Sequence, residues 1–272
     1  MANFQIDNEQ IEEIRSLIEA QQNKKLQKKL NQFHYADIAE IIQELTNEEA
    51  LFLVKLLDST KTADALAELD EDIREGIIKQ LSVKEIADEI EELDTDDAAD
   101  LIAELPEARQ EKVFNEISDE ALAEDLRELL NYDENTAGGL MAKELVKVQE
   151  DLSVLKCVNA MRAQAENVTR VHSIYVVDSK NRLKGRLSLK DLITTNSRAL
   201  VKDISIPKVD FVTDDTEGEE VAKIMSKYDL EAIPVVNDKK ELLGRITIDD
   251  IVDFIKEEAE EDYLLAAGVS AD

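Results

Sequence analysis

Carboxylates are the side chains whose types and spacing can do chemistry in this chain. From Asp249 to Asp262, eight of fourteen residues are Asp or Glu, opposed by the single base Lys256. On a helix, at about 100° per residue, Ile251, Val252, Ile255, Ala259 and Tyr263 form one apolar face. Asp250, Asp253, Glu257 and Glu261 line the opposite face, with Phe254 the exception, close to the acidic side. Like charges recur at i,i+3 and i,i+4, and each such pair costs about 0.2–0.5 kcal/mol in an isolated helix. A cation beside the helix would relieve that repulsion; a solvated acidic face is the plainer reading of the same pattern.

A second concentration runs from Glu85 to Ala108, with eleven acids and no Lys or Arg. Asp94 or Asp96 can cap a helix there and Asp97 offset its dipole. Capping accounts for about two of these carboxylates. Asp96 and Asp100, four apart, project from one face and repel unless something sits between or opposite them.

Other chemistries find little support. The sequence has no Gly-x-Ser-x-Gly, no phosphate-binding Walker loop and no Cys–His arrangement, and acids are so abundant that no Glu–Asp pair stands out as general acid and base. Cys157, His34 and His172 are scattered and lack zinc-ligand spacing. They are expected to be structural.

The elements that must position these groups fall into two kinds. Residues 1–30 read as one helix with a basic end, in which Ile6, Ile11, Ile14, Leu17 and Ile18 precede Lys24, Lys25, Lys28 and Lys29. An aliphatic residue then recurs every twelve positions, at Leu45, Leu57, Leu69, Leu81, Leu93, Leu105, Ile117 and Leu129. Short helices of about ten residues joined by acidic or proline-containing turns fit this spacing and stack into a superhelical array. From Asn131 the pattern changes, and the paired glycines Gly138 and Gly139 suit a turn or hinge. Two copies of an α/β unit follow, 59 residues apart. Each has an amphipathic helix (around Val154–Met161 and Val221–Tyr228), a β-branched strand (Ile174–Val177 and Ile233–Val236), and a second strand that opens directly into a helix.

At 272 residues the chain is long enough for roughly two domains. Sixty-three acids against thirty-two bases give a formal charge of −31, which argues against nucleic acid and against anionic membrane surfaces as partners. At this magnitude divalent cations become a serious second reading of what is otherwise a solubility device. The single Cys157 excludes an internal disulfide framework. No run approaches the ~20 apolar residues needed to cross a bilayer, so the chain is expected to be soluble and, by default, cytoplasmic.

Gly185–Ser188–Asp191 and Gly244–Thr247–Asp250 repeat the pattern Gly-x-x-Ser/Thr-x-x-Asp. With the order helix–strand–turn–strand–helix, this pair resembles tandem CBS domains. The resemblance implies that Ser188, Asp191, Thr247 and Asp250 hold the phosphate and ribose of ATP or another adenine nucleotide. A hydroxyl near a helix N-terminus suits an anion, yet Ser188 and Thr247 are equally well placed as plain N-caps.

The acidic repeat, the Tyr132…Thr136-Ala137-Gly138…Met141 junction, the two CBS units and the acidic last helix together resemble the cytosolic part of MgtE-type magnesium transporters. That resemblance implies an all-α superhelical domain at 1–131, CBS domains at 132–200 and 201–254, and a connecting helix at 248–272. It implies a homodimer whose bound Mg2+ bridges carboxylates across domain interfaces and favours a compact, closed state. By motif the ligands are Asp250, Asp253, Glu258 and Glu261 from the last helix, Glu219 and Asp229 from the second CBS unit, and Asp96, Asp100 and Asp64 from the helical domain. Family members continue into a transmembrane pore, so the chain is expected to be a soluble portion of a longer protein at the cytoplasmic side of the membrane, with its own pore domain as partner. A CBS nucleotide sensor and an acidic helical-repeat adaptor without metal sensing are the alternatives.

Overall fold

A computed structural model describes residues 6–165, 168 and 170–267. The chain divides between Leu126 and Arg127 into two compact units; the first is helical and the second mixed α/β, which is the fold class expected.

The helical unit opens with α1 (Asn8–Glu19) and α2 (Asn23–Leu30). The single helix expected over residues 1–30 is thus two. Gln21 takes a left-handed conformation, φ 50°, that ends the first helix. The break folds α2 back on α1, so the stripes Ile11/Ile14 and Leu26/Leu30 are both buried. One straight helix would leave one of those stripes in water.

Then come α3 (Tyr35–Gln43), α4 (Asn47–Val54), α5 (Ser59–Ala67), α6 (Glu71–Ile78), α7 (Val83–Ile90), α8 (Thr95–Ala103), α9 (Glu107–Glu116) and α10 (Glu120–Leu129). The twelve-residue period has a physical origin. From Leu45 to Ile117 each periodic aliphatic lies just past a helix end and turns inward; Leu69, Leu81, Leu93 and Leu105 are buried. The residue after it is the N-cap of the next helix: Thr46, Asp58, Asp70, Ser82, Asp94 and Pro106, with His34 in the same phase. Thr46 and Ser82 close full capping boxes with Glu49 and Glu85, each cap contributing about 1 kcal/mol. Helices two apart in sequence pack together, α3 on α5, α5 on α7, α7 on α9 and α4 on α6, which is how a solenoid buries a continuous core. Thr60 Oγ1 donates to Glu92 Oε2 at 2.6 Å, and Arg74 Nε to Glu104 Oε1 at 2.6 Å, tying successive turns of the array.

The second unit contains two copies of one motif. The first is β1 (Val146–Gln149), α11 (Val154–Gln164), β2 (Ile174–Val177), β3 (Leu183–Leu187) and α12 (Leu189–Thr194), followed by the short α13 (Val201–Ile204). The second is β4 (Val212–Thr213), α14 (Gly218–Tyr228), β5 (Ala232–Val236), β6 (Leu242–Thr247) and α15 (Ile248–Ala267). In each sheet the leading strand pairs parallel to the central one, which pairs antiparallel to the third. Sequence reading missed β1 and β4, because four and two residues are too few to show a period.

The 59-residue repeat reaches individual hydrogen bonds. Leu183 N–H donates to Lys240 O at 2.8 Å, and Leu242 N–H to Asn181 O at 2.9 Å. Asn181 and Lys240, equivalent positions, are both left-handed at φ 58° and 61°. Tyr175 and Val177 from one copy meet Val236 and Leu242 from the other in a shared apolar core. Each sheet also receives a segment from outside its own copy. Ala142, which precedes the first copy, exchanges both backbone hydrogen bonds with Arg245 on β6, and Ile206, from the linker, does the same with Arg186 on β3.

Those crossings explain the glycines of the repeated motif. A Cβ on Gly185 would lie 2.7 Å from Ile206 O, and one on Gly244 would lie 2.6 Å from Ala142 O. Both obstacles are backbone that is itself hydrogen-bonded in place. Gly244→Ala is therefore expected to cost about 1–3 kcal/mol through overpacking. Gly76→Ala, inside α6 and with only Asn47 Nδ2 at 4.0 Å, is expected to be neutral or stabilising by about 0.5–1 kcal/mol. Urea unfolding of the two variants decides the matter, and a Gly244→Ala protein as stable as the parent contradicts the crossing constraint.

Candidate functional site

The acidic helix α15 is anchored differently from its helical-wheel reading. The expected apolar face of Ile251, Val252, Ile255, Ala259 and Tyr263 does not pack as a stripe. Ile251 is buried, but Val252 is 44%, Ile255 48% and Tyr263 75% exposed. Phe254, read as the exception, is the second anchor at 7%. The reason is the partner: α15 lies on α14, whose first residue Gly218 leaves room for the Phe254 ring. A wheel treats all neighbours as one surface and cannot register a slot made by a glycine.

Five expected metal ligands, Glu219 on α14 and Asp250, Asp253, Glu258 and Glu261 on α15, are therefore carried by two packed helices, with Asp229 as the C-cap of α14. Glu219 follows Gly218 and Asp253 precedes Phe254, and Gly218 and Phe254 pack against each other. Each carboxylate already has a lysine: Glu219 accepts from Lys223 Nζ at 2.8 Å, and Asp253 pairs with Lys256. Both pairs are exposed, where such bridges contribute little. Asp229 is the C-cap of α14, left-handed at φ 50° and exposed. A carboxylate there is opposed by the helix dipole, by about 0.3–1 kcal/mol. Glu258 is half-buried on α15. Glu261 lies on the same helix, its side chain outside the described residues.

Asp250 is held by its own turn. Its Oδ2 accepts from Thr247 N–H at 2.9 Å and from Thr247 Oγ1 at 2.6 Å. In the first copy Ser188 Oγ likewise donates to Asp191 Oδ2 at 2.7 Å and accepts from Asp191 N–H at 3.1 Å. Ser188 thus caps α12, whereas the Thr247 hydroxyl donates to the Asp249 and Asp250 carboxylates and its N–H is the group Asp250 satisfies. The group with a different setting is Asp249, which sequence reading did not single out. Burial raises its pKa, but the Thr247 hydroxyl, backbone hydrogen bonding, and the charges of His172 and Arg170 outweigh this and leave it lowered. His172 also stands 3.9 Å from Glu231, which precedes β5 of the other copy and whose carbonyl accepts from Ile248 N–H at 3.0 Å.

In the helical unit the expected ligands are Asp64 on α5 and Asp96 and Asp100 on α8. Asp96 is half-buried and accepts from Asp97 N–H at 3.1 Å; Asp100 is exposed. Burial and the negative charge of Asp94 raise the Asp64 carboxyl, against a lowering by His34, with Glu92 and Asp58 adding to the rise. The more perturbed group was not anticipated. Burial pushes Glu89 up to about 8, resisted by a hydrogen bond from Ser59 and reinforced by Asp88, Glu92 and Asp58. Its signal was present: Glu89 sits inside the buried stripe Ile86, Ala87, Ile90 of α7. Neither Asp64 nor Glu89 has a lysine or arginine partner among the described residues.

These donors suit a hard cation, since all are oxygen and none is sulfur or clustered imidazole. Among the described residues no three such groups stand together as a metal cage. The fit is therefore to an ion that keeps most of its water and takes one or two carboxylates from any one surface.

The chain matches the MgtE intracellular N domain over residues 33–135 and the CBS domain over 137–197 and 201–257. It is 45% identical over 134 residues to the magnesium transporter MgtE of Thermus thermophilus, covering 49% of this chain and 30% of that protein. The crystal structure of the cytosolic domain of the Mg2+ channel MgtE in complex with ATP is similar at a TM-score of 0.82. It has 34% identity and covers 89% of this chain and 99% of that one. The soluble part of a magnesium transporter aligns at 0.80 with 29% identity, over 92% and 98%. The chain spans about a third of the length of the curated relatives it matches.

The acids of α5 and α7 make a pH test. A carboxyl raised by folding binds more protons in the folded state, so its contribution to stability is present at low pH. It is lost as pH rises from the ordinary carboxylate range through about 8. Calorimetry in metal-free buffer between about pH 5 and about pH 9 should show the helical unit weakening with pH. Glu89→Gln should flatten that slope, and an unchanged slope would rule Glu89 out as its source.

Proposed function

This chain belongs to the MgtE family of magnesium transporters, and from that premise we propose that it is the family's Mg2+-sensing regulatory region. Mg2+ is the effector. Carboxylates on separate surfaces share a hydrated ion, and the compact arrangement is favoured because only there do both surfaces contribute. The ligands in this reading are Asp250, Asp253, Glu258, Glu261, Glu219 and Asp229 in the second unit, and Asp64, Asp96 and Asp100 in the helical unit. Removing the ion restores mutual repulsion and opens the assembly, a population shift driven by differential affinity. The signal passes to a pore domain that follows α15 in the whole transporter.

The observation that carries this reading is the half-buried, cation-poor acid group around Asp64 and Glu89. It is supported by Asp229 placed against a helix dipole. Such arrangements are costly in isolation and become favourable with a divalent ion beside them. A homodimer is part of the proposal, supported by a repeated apolar patch. Leu189 and Ile193 on α12 are 44% and 82% exposed, and their equivalents Ile248 and Val252 on α15 are 38% and 44% exposed.

Nucleotide binding is a second reading, favoured by Asp249 standing near Arg170 and His172 of the other copy. Here Asp249 would take ribose hydroxyls, and the two bases would take phosphate. Calorimetric titration with ATP in Mg2+-free buffer should give heat that Asp249→Ala abolishes. Equal binding by that variant would remove this assignment.

Sedimentation velocity and limited proteolysis test the main proposal. The chain is expected to sediment as a dimer that becomes more compact and protease-resistant in millimolar Mg2+. Asp250→Ala with Asp253→Ala should raise the Mg2+ midpoint by about fivefold or more. Glu9→Ala with Glu12→Ala, on α1, should leave it unmoved. Equal effects of the two double variants would mean bulk screening of charge rather than sites.

A further inference from the structure

The segment that precedes β1 is bound to the second CBS copy. Gly218 N–H donates to Asn135 O at 2.8 Å, Ala137 N–H to Thr216 O at 2.7 Å, and Gly138 N–H to Asp214 O at 2.9 Å. Ala142 and Arg245 then exchange hydrogen bonds at 2.8 and 2.9 Å, and Ala137, Met141 and Ala142 are fully buried. Residues 135–142 therefore form a strap across the turn that starts α14 and across β6.

Leu140 lies in that strap and reaches the anchor of α15. A Cβ built on Gly218 would meet Phe254 Cζ at 2.6 Å, Phe254 Cε1 at 2.7 Å and Leu140 Cδ1 at 3.0 Å. Three segments distant in sequence thus converge on one small space: the strap, the first residue of α14 and the second turn of α15. Beyond Phe254 the described side chains of α15 at 255, 256, 257, 259 and 263 are exposed. Ile251 and Phe254 are its buried hydrophobic anchors among the described residues.

We propose that the strap is a positioning element for α15: Leu140 and Gly218 form the seat of Phe254, and that seat sets the direction in which the acidic face of α15 is presented. This deepens the Mg2+-sensing reading and rests on it for its consequence. Leu140 and Phe254 act through the carboxylates of α15 and are not themselves ligands.

Spin labels at Ser179→Cys and Tyr263→Cys, both exposed, report the direction of α15; Cys157 is fully buried. In metal-free buffer Gly218→Ala should shift or broaden the inter-label distance distribution. Adding Phe254→Leu, a shorter side chain, should narrow it again. In Mg2+ titrations by proteolysis, Gly218→Ala should move the midpoint about fivefold or more, and the double variant should move it back. Leu140→Ala, which removes atoms rather than adding them, is a milder second variant expected to broaden the distribution while the CBS unit keeps its melting transition. An unchanged distribution in both single variants overturns the seat. A changed distribution with an unmoved Mg2+ midpoint supports the seat and overturns its consequence for the Mg2+ response. A parent protein indifferent to Mg2+ would instead defeat the sensing reading, and the metal-free distances would still judge the seat.

Discussion

Backbone from residues 141–142 runs so close to β6 that a side chain cannot stand between them, and Gly244 is the consequence. Much of the second unit depends on that approach. It lets Ala142 complete a backbone pairing with Arg245, brings Met141 into the core and carries Leu140 to the start of α14. The equivalent approach of Ile206 over Gly185 locks the linker to the first sheet. Each CBS copy is therefore completed by chain from outside it. Neither sheet's pairing is satisfied by its own copy alone, because a buried strand edge must find partners for its N–H and C=O groups.

Charge is the opposing pressure. With 63 acids and 32 bases, about half of the carboxylates must live without a basic partner of their own. Exposed ones tolerate this through solvation, and several lie in helix first turns where the dipole favours them. Asp64 and Glu89 lack both remedies, being half-buried among other acids. Asp229 lacks them in another way, at the wrong end of a helix. No lysine or arginine offsets Asp64 or Glu89 among the described residues.

The repeat in the helical unit was legible because one residue type recurred at one interval, and the structure shows why. Leucine closes each helix end and a capping residue opens the next, so both phases share the twelve-residue period. The capping phase through His34, Thr46, Asp58, Asp70, Ser82 and Asp94 was equally readable and would have given helix boundaries directly. The break at Gln21 was not readable, since glutamine has no preference for positive φ and the turn is imposed by burial of two stripes. Glu89 could have been noticed as an acid inside an apolar stripe. Asp249 could not, because its setting comes from Arg170 and His172, far away in sequence.

Sequence by itself determined the two-unit architecture, the family resemblance, the strand–helix repeat and the richness in oxygen donors. These follow from periodicity, composition and local turn chemistry, which act over a few residues. Tertiary structure alone decided which face of α15 is anchored, why the motif glycines are glycines, and which carboxylates are desolvated. Those depend on what approaches from elsewhere in the chain, and a helical wheel assumes a uniform neighbour. Phe254 shows the difference most clearly. Its place on the wheel put it among the acids, and a glycine on another helix gave it a place inside.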